Sequence, residues 1–510
     1  MREKKLGADH HGATLAYCHY RINGCTLLPR GFLVGHPLRR WIRVKAASAQ
    51  QESLRREAVK LRHQFAQGSR GIFSGVLPAS KVAEVIREEC EAWRDRVYSP
   101  AKTLRLFIGQ VLGEDRACQD VLSRFLAERT AEGVAAIGLN TGAYCQARQR
   151  LPLEVPDRLY REVARALEEK LPKEWSWRSR RVKVFDGTTV SMPDTPQNQN
   201  EFPQNSEQQE GLGFPIARLG AVISLGSGAV MGHTVVACEG KGTGEQTLLR
   251  GLLPVLQPGD ILLADALLAT WWVIAEARAT GVDVVMPQHG RRLTDFSRGE
   301  SLGKRDHLAV WCRPQRPGWM SVEAYKRYPV EMVMRECEVD GRVLVTTLLD
   351  PAFVSPRELD DLYSLRWTIE VDWRTIKATM EMDVLRCCSP AMVRKEIAVC
   401  LLAYNLVRWA MATAAALAHL LPRVLGFTGA KRVLLAFAEQ LRRSPGQRLA
   451  VLFSTVLAAI STLLLPHRPG RVEPRAKKRR SSLPILTVPR KAARQQQLAK
   501  REARRLNVAP

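Results

Sequence analysis

The chain has 510 residues, enough for about three domains, and carries 77 Lys and Arg against 51 Asp and Glu, a net charge of +26. Hydrophobic residues at 45% and charged residues at 25% exclude a chain that is disordered throughout and one embedded throughout in a membrane. A positive charge of this size calls for a polyanionic partner, nucleic acid first.

Residues 1–77 read as a basic, irregular arm, with nine Lys and Arg against two acids in the first fifty residues. This is either a DNA-contacting arm or an upstream extension of the reading frame. Residues 78–172 are helical in pattern: Leu104, Phe107, Ile108, Val111 and Leu112 recur at three- and four-residue spacing. Within them, Asn140 to Tyr144 open a short segment that carries Arg148 and Arg150 and ends at Pro152. From 173 to 287 the texture changes. Alternation over Val182, Val184 and Asp186 predicts a strand, with further strands at Ala217–Leu225 and Ala229–Cys238. A helix over Glu245–Leu256, a short apolar strand at Ile261–Ala264 running into Asp265, a helix over Thr270–Ala279 and a strand at Val282–Met286 complete a mixed α/β pattern.

Residues 288–350 break that rhythm and read as a β-rich insertion, with strands at Leu308–Trp311, Val330–Glu338 and Val343–Leu349 and a turn at Asp340-Gly341. Helices return over 351–420 and 421–466. The apolar run Leu449–Leu465 is short for a bilayer span and includes Ser454, Thr455, Ser461 and Thr462, so a buried core helix is expected and no membrane span. Residues 467–510 hold 14 Lys and Arg against two acids and are expected to be a disordered, DNA-contacting tail. The eleven cysteines form no Cys-x-x-Cys, which argues against a zinc ribbon or a disulfide framework. No signal peptide is read at the N-terminus, and a cytoplasmic, DNA-associated location is expected.

The segment from Ser355 to Met380 is the most informative. Ser355, Pro356 and Glu358 form a helix start. On one continuous helix at 100° per residue, Tyr363, Arg366, Glu370 and Lys377 fall within about 60° of one another, while Leu365, Ile369, Trp373, Ile376 and Met380 fill an apolar sector. A row of this kind occurs on many solvated helices. Its weight comes from Asp186 on the first strand and Asp265 after the fourth, because such positions can converge with Glu370 at one sheet edge. Three converging carboxylates repel one another unless cations neutralise them, and hard cations such as Mg²⁺ or Mn²⁺ prefer oxygen ligands.

Tyr363-x2-Arg366-x3-Glu370-x6-Lys377 resembles the Tyr-Arg-Glu-Lys signature of bacterial DDE transposases in insertion-sequence family four. Val184-Phe185-Asp186-Gly187-Thr188 is similar to that family's first acidic region and Leu262-Leu263-Ala264-Asp265 to its second, and the resemblance runs from about Pro78 to Leu420. It implies a ribonuclease H-like core with a β-rich insertion and helical N- and C-terminal regions. Asp186, Asp265 and Glu370 would be the ligands of two Mg²⁺ or Mn²⁺ ions. Tyr363, Arg366 and Lys377, with Arg148 and Arg150 in the helical DNA-binding domain, would contact DNA. The activity implied is cleavage at transposon ends and joining to target DNA, with inverted repeats and target as partners and a homodimer in the DNA complex. Ala266 departs from the pattern, since the second acidic region often continues with Arg. Two alternatives stay open: a DNA-binding protein with a decayed catalytic core, and a hydrolytic nuclease on the same fold.

The remaining features have plainer readings. Trp311 and Trp319 are candidates for stacking on a splayed base, but large aromatics usually belong to a core. His10 and His11 are too few for a metal site. Gly240–Gly244 lacks the Walker spacing and reads as a turn. Glu245 and Asp260 are candidates to sit near the site, but helix and loop acids are usually solvated.

Overall fold

A computed structural model describes residues 73, 76–93, 96–209, 211–318, 320–444, 446–466 and 488–506. Five helices come first: α1 (Ala79–Glu89), α2 (Pro100–Leu112), α3 (Cys118–Ala131), α4 (Gly142–Arg150) and α5 (Glu154–Glu169). Then follow β1 (Val182–Ser191), α6 (Pro196–Glu201), β2 (Ile216–Ser224), β3 (Val230–Ala237), α7 (Glu245–Leu252), β4 (Ile261–Leu263), α8 (Trp271–Ala279) and β5 (Asp283–Pro287). The region 288–350 supplies β6 (Glu300–Gly303), β7 (Asp306–Cys312), α9 (Val322–Lys326), β8 (Glu331–Val339) and β9 (Arg342–Thr346). The chain continues through α10 (Pro356–Ser364), α11 (Thr368–Arg374), α12 (Pro390–Leu417), α13 (Phe427–Arg443), α14 (Gly446–Ser461) and α15 (Arg490–Leu506).

All nine strands join one sheet in the order β3-β2-β1-β4-β5-β9-β8-β7-β6. β1 is antiparallel to β2 and parallel to β4, and β4 is parallel to β5. Beyond β5 every pairing is antiparallel. The β-rich region is therefore an extension of the main sheet and not a separate layer, and β6 is a strand that periodicity did not reveal. Asp340 and Gly341 both have positive φ, which makes the β8–β9 connection the tight turn that Asp-Gly favours.

The period of two along the strands sorts side chains into two cores. Val182 and Val184 of β1 face a layer built from α2, α5, α11 and α12 to α14, whereas Phe185 faces α7 and α8. Helix α12 is long and apolar enough to cross a membrane by length and composition, but 94% of its apolar window is buried inside the protein. It serves as the central core helix. Most of the apolar run 449–465 lies in α14, which packs in the same core. In the tail, Arg490–Leu506 form a helix where disorder was expected. Residues 467–487, including Lys477 to Arg480, lie outside the described residues, as does nearly all of the arm 1–77 with His10 and His11.

Candidate active site

Parallel pairing of β1 with β4 ends at Val184 opposite Leu263. Asp186 and Asp265 each follow two residues later, so they stand beside each other on neighbouring chain segments, where strands are about 4.8 Å apart. Asp186 Oδ1 accepts the Gly187 N–H at 2.8 Å. Asp265 Oδ1 accepts from the N–H groups of Leu267 and Leu268 at 3.0 and 3.3 Å, capping the 3₁₀ turn Ala266–Leu268. Each aspartate thus has one oxygen fixed to backbone. Neither Oδ2 receives a hydrogen bond among the described residues. Burial pushes the Asp186 carboxyl up to about 6; its bond from Gly187 and the Arg366 charge pull it back, and the charges of Glu245 and Asp265 add to the rise.

The signature segment approaches from α10 and α11. Ser355 and Glu358 form the expected capping box, with Pro356 in the first turn. The helix does not continue uniformly. Leu365–Trp367 are a 3₁₀ turn, and Thr375–Thr379 a π turn. Each changes the angular phase, so the row predicted on one regular helix is assembled from three helical types. Arg366 Nη2 donates to Glu370 Oε1 at 3.4 Å, and the Arg366 guanidinium lies 6.0 Å from the Tyr363 ring centre. Burial raises the pKa of the Tyr363 phenol, which faces Arg366 and Asp265. Lys377 Nζ donates to Thr189 O at 2.9 Å and Thr188 Oγ1 at 3.4 Å and pairs with Asp383 at 2.8 Å. Arg366 beside Asp186, and Lys377 beside Thr188 and Thr189, run the signature along β1. Trp367, next to Arg366 in the signature segment, and Leu267, two residues after Asp265, are 56% and 61% exposed.

Other sequence candidates lie elsewhere. Arg148 is buried, its guanidinium 4.2 Å from the Phe107 ring centre and donating to Cys118 Sγ and Cys387 Sγ at 3.1 Å each. This corrects the expectation of a DNA contact, because the group has no surface to present; Arg150, at the end of α4, is exposed. Trp311 is a core residue, its Nε1 donating to Glu336 at 2.6 Å, and Trp319 lies outside the described residues. Gly240–Gly244 is the turn into α7, with positive φ at Gly240 and Gly242. Asp260 is buried at the opposite end of β4 from Asp265.

Two residues gain importance: Glu245, for which the sequence favoured a solvated position over one near the site, and Asp372, which sequence reasoning did not assign. Glu245, read as solvated, is half-buried, with Oε1 3.2 Å from the position a Cβ would take on Gly187. Asp372 is fully buried on α11, two residues after Glu370. It accepts from Tyr404 at 3.2 Å, Arg408 at 2.5 Å and Arg423 at 2.6 Å. The available signal was its position, about 20° from the edge of the apolar sector on a 100° wheel.

Among the described residues, no three His, Cys, Asp or Glu side chains stand close enough to form a ready-made metal ligand set; Glu370 is paired with Arg366. Residues 177–406 match the family described as Transposase DDE domain. The chain is 28% identical over 349 residues to transposase InsG for insertion sequence element IS4 of Escherichia coli K12, an alignment covering 66% of this chain and 76% of InsG. Among solved structures, it is similar to the piggyBac transposase in a synaptic complex with hairpin DNA, at TM-score 0.38 and 8% identity over 79% of this chain and 86% of that one. The domain match covers the segment that carries Asp186, Asp265 and the signature residues, and together with the likeness to InsG it supports the resemblance to DDE transposases of the insertion-sequence four type.

Proposed function

We propose that the chain cleaves DNA at insertion-sequence ends in a metal-dependent reaction and transfers the freed strand into target DNA, acting as a homodimer on its DNA. The observation that carries this reading is the register of β1 against β4, which sets Asp186 beside Asp265, with Arg366 on the 3₁₀ turn before α11 near Asp186 and paired with Glu370 of α11. The strand order β3-β2-β1-β4-β5, antiparallel in its first two pairs and parallel in the next two, supports a ribonuclease H-like core.

The donor set fits the cations that the family implies. It consists of carboxylate oxygens, two of them unshared aspartate Oδ2 atoms, and hard Mg²⁺ or Mn²⁺ prefers such ligands. Asp186, Asp265 and Glu370 would hold two ions, which supply activation of a water or a 3′-hydroxyl and stabilise the leaving oxygen. Arg366 can grip a backbone phosphate with its planar fork, an exchange of partner that would release Glu370. Lys377 braces β1 next to Asp186 through Thr188 and Thr189 and presents a point charge to a neighbouring phosphate. Arg150 contacts the duplex from the helical region. In strand transfer the freed 3′-oxygen bonds to a target phosphorus and the target's own 3′-oxygen leaves.

Asp186→Asn, Asp265→Asn and Glu370→Gln should each abolish Mg²⁺-dependent cleavage of end DNA and leave binding of that DNA largely intact. Near-normal cleavage by any one of them would remove that residue from the ligand set. Strand-transfer products from the unaltered protein separate a transposase from a hydrolytic nuclease.

A further inference from the structure

Cys118 opens α3, Cys145 lies in the first half of α4, and their sulfurs are 3.9 Å apart, the Cys145 thiol donating to Cys118 Sγ. Both residues are partly exposed, so a small reagent can reach them, whereas Cys337, Cys387 and Cys400 are buried. Cys118 Sγ also accepts from Arg148 Nη1 at 3.1 Å and from Gln110 Nε2 at 3.5 Å. The buried Arg148 guanidinium is surrounded by Cys118, Cys387 and the rings of Phe107 and Tyr144, and it forms no ion pair with a carboxylate among the described residues. Ala117 gives α3 no side-chain cap, so the positive end of that helix adds to the Arg148 charge. A cation and a helix start beside one sulfur stabilise the negative charge that a thiol needs in order to attack. Cys118 is thus the attacking sulfur, and Cys145, in contact with it, is placed to complete the bond.

We propose that Cys118 and Cys145 form a reversible oxidation site whose reagent is a hydroperoxide or a low-molecular-weight disulfide. With a peroxide, the Cys118 sulfur attacks one oxygen, the O–O bond breaks, and the other oxygen leaves and takes up a proton, so Cys118 becomes a sulfenic acid. The Cys145 thiol then attacks the Cys118 sulfur, the S–S bond forms and water leaves. With a small disulfide, Cys118 displaces one thiol from the reagent and Cys145 displaces the second from the mixed disulfide. Either way the two cysteines lose two electrons and two protons, and the reagent gains them. A disulfide sets its sulfurs about 2 Å apart, and the two side chains close the remaining distance by rotating about their Cα–Cβ bonds. The bond withdraws Cys118 Sγ from Arg148 and ties α3 to α4, the helix that carries Arg150. Transient links of this kind belong to redox sensing and not to a structural framework. The inference is independent of the metal reading of Asp186, Asp265 and Glu370.

The test treats the full-length, reduced protein with hydrogen peroxide at less than one equivalent, blocks the remaining thiols and maps the unreduced peptides by mass spectrometry. A peptide pair joined through Cys118 and Cys145 should appear first, with two free thiols lost for each peroxide consumed, and dithiothreitol should restore both. In Cys145→Ser the reaction should stop at a Cys118 sulfenic acid, trapped by dimedone, with one thiol lost for each peroxide. In Cys118→Ser, Cys145 should stay reduced. Serine differs from cysteine by one atom, and thermal unfolding verifies that both variants fold as the unaltered protein does. Modification of the exposed Cys312 or Cys388 while Cys118 and Cys145 remain free would overturn the site. So would a link from either sulfur to another cysteine, or a covalent dimer in place of the internal bond. Oxidation of Cys145 in Cys118→Ser, with Cys118 left reduced in Cys145→Ser, would overturn the assignment of Cys118 as the attacking sulfur.

Discussion

At the scale of single residues, burial decides what each charged or titratable group does. Arg148 and Arg150 are two positions apart on α4, yet one is enclosed by Phe107 and two thiols and the other is exposed. His233 on β3 is another case. It lies against Tyr160, whose hydroxyl is 2.9 Å from Nδ1, and burial, aided by the charges of Arg161 and Arg394, lowers its pKa to about 3. Between that value and the unfolded value near 6.5, the unfolded chain binds a proton that the folded one refuses. Stability is therefore full above about pH 6.5 and falls as the pH drops through that window, by about 2 kcal/mol at pH 5. Urea unfolding at pH 7.5 and pH 5 should show this loss in the unaltered protein and a loss smaller by that amount in His233→Gln.

At the scale of elements, the signature segment is a helix whose phase is corrected twice, by a 3₁₀ turn after α10 and a π turn after α11. Its inner side is anchored by Asp372. The carboxylate holds Arg408 and Tyr404 of α12 together with Arg423, and Arg423 also donates to Ser224 O and Leu225 O at the end of β2. One acid thus joins α11, the core helix and the sheet, and fixes the turn of helix that bears Glu370. Asp372→Ala would leave two buried guanidinium groups facing each other without their anion. The expected cost is about 3–5 kcal/mol, read from the shift in the urea midpoint. Alanine at Trp367, which is 56% exposed, provides the control and should shift the midpoint little.

At the scale of the whole molecule, the distribution of charge matters more than its total. The segment 467–510 carries 14 Lys and Arg against two acids, nearly half of the net +26. Deleting everything after Pro466 should weaken binding to all duplexes and flatten the dependence of affinity on salt, while preference for end DNA changes less. Phosphate contacts set affinity and its salt slope, whereas base contacts specify sequence. Binding isotherms for end and unrelated duplexes across a salt series measure both effects. An unchanged slope would exclude the tail from DNA contact.

The residue order alone was sufficient for the strands β1 to β5, the capping box at Ser355 and the spacing of Tyr363, Arg366, Glu370 and Lys377, because period, turn chemistry and caps are local properties. The apolar sector of the signature segment was legible for the same reason, and its five members are all buried. What the order could not convey was contact between distant segments. The joining of β9 to β5, the sealing of Arg148 between Cys118 and Cys387, and the meeting of Asp372 with Arg423 depend on how whole layers pack. Glu245 is the sharpest instance. Locally it is a first-turn acid after a glycine-rich turn, an ordinary solvated position. Only the seating of α7 on the paired glycines 187 and 220 brings its carboxylate over β1 beside Asp186, because that approach requires two strands and a helix to be in place together.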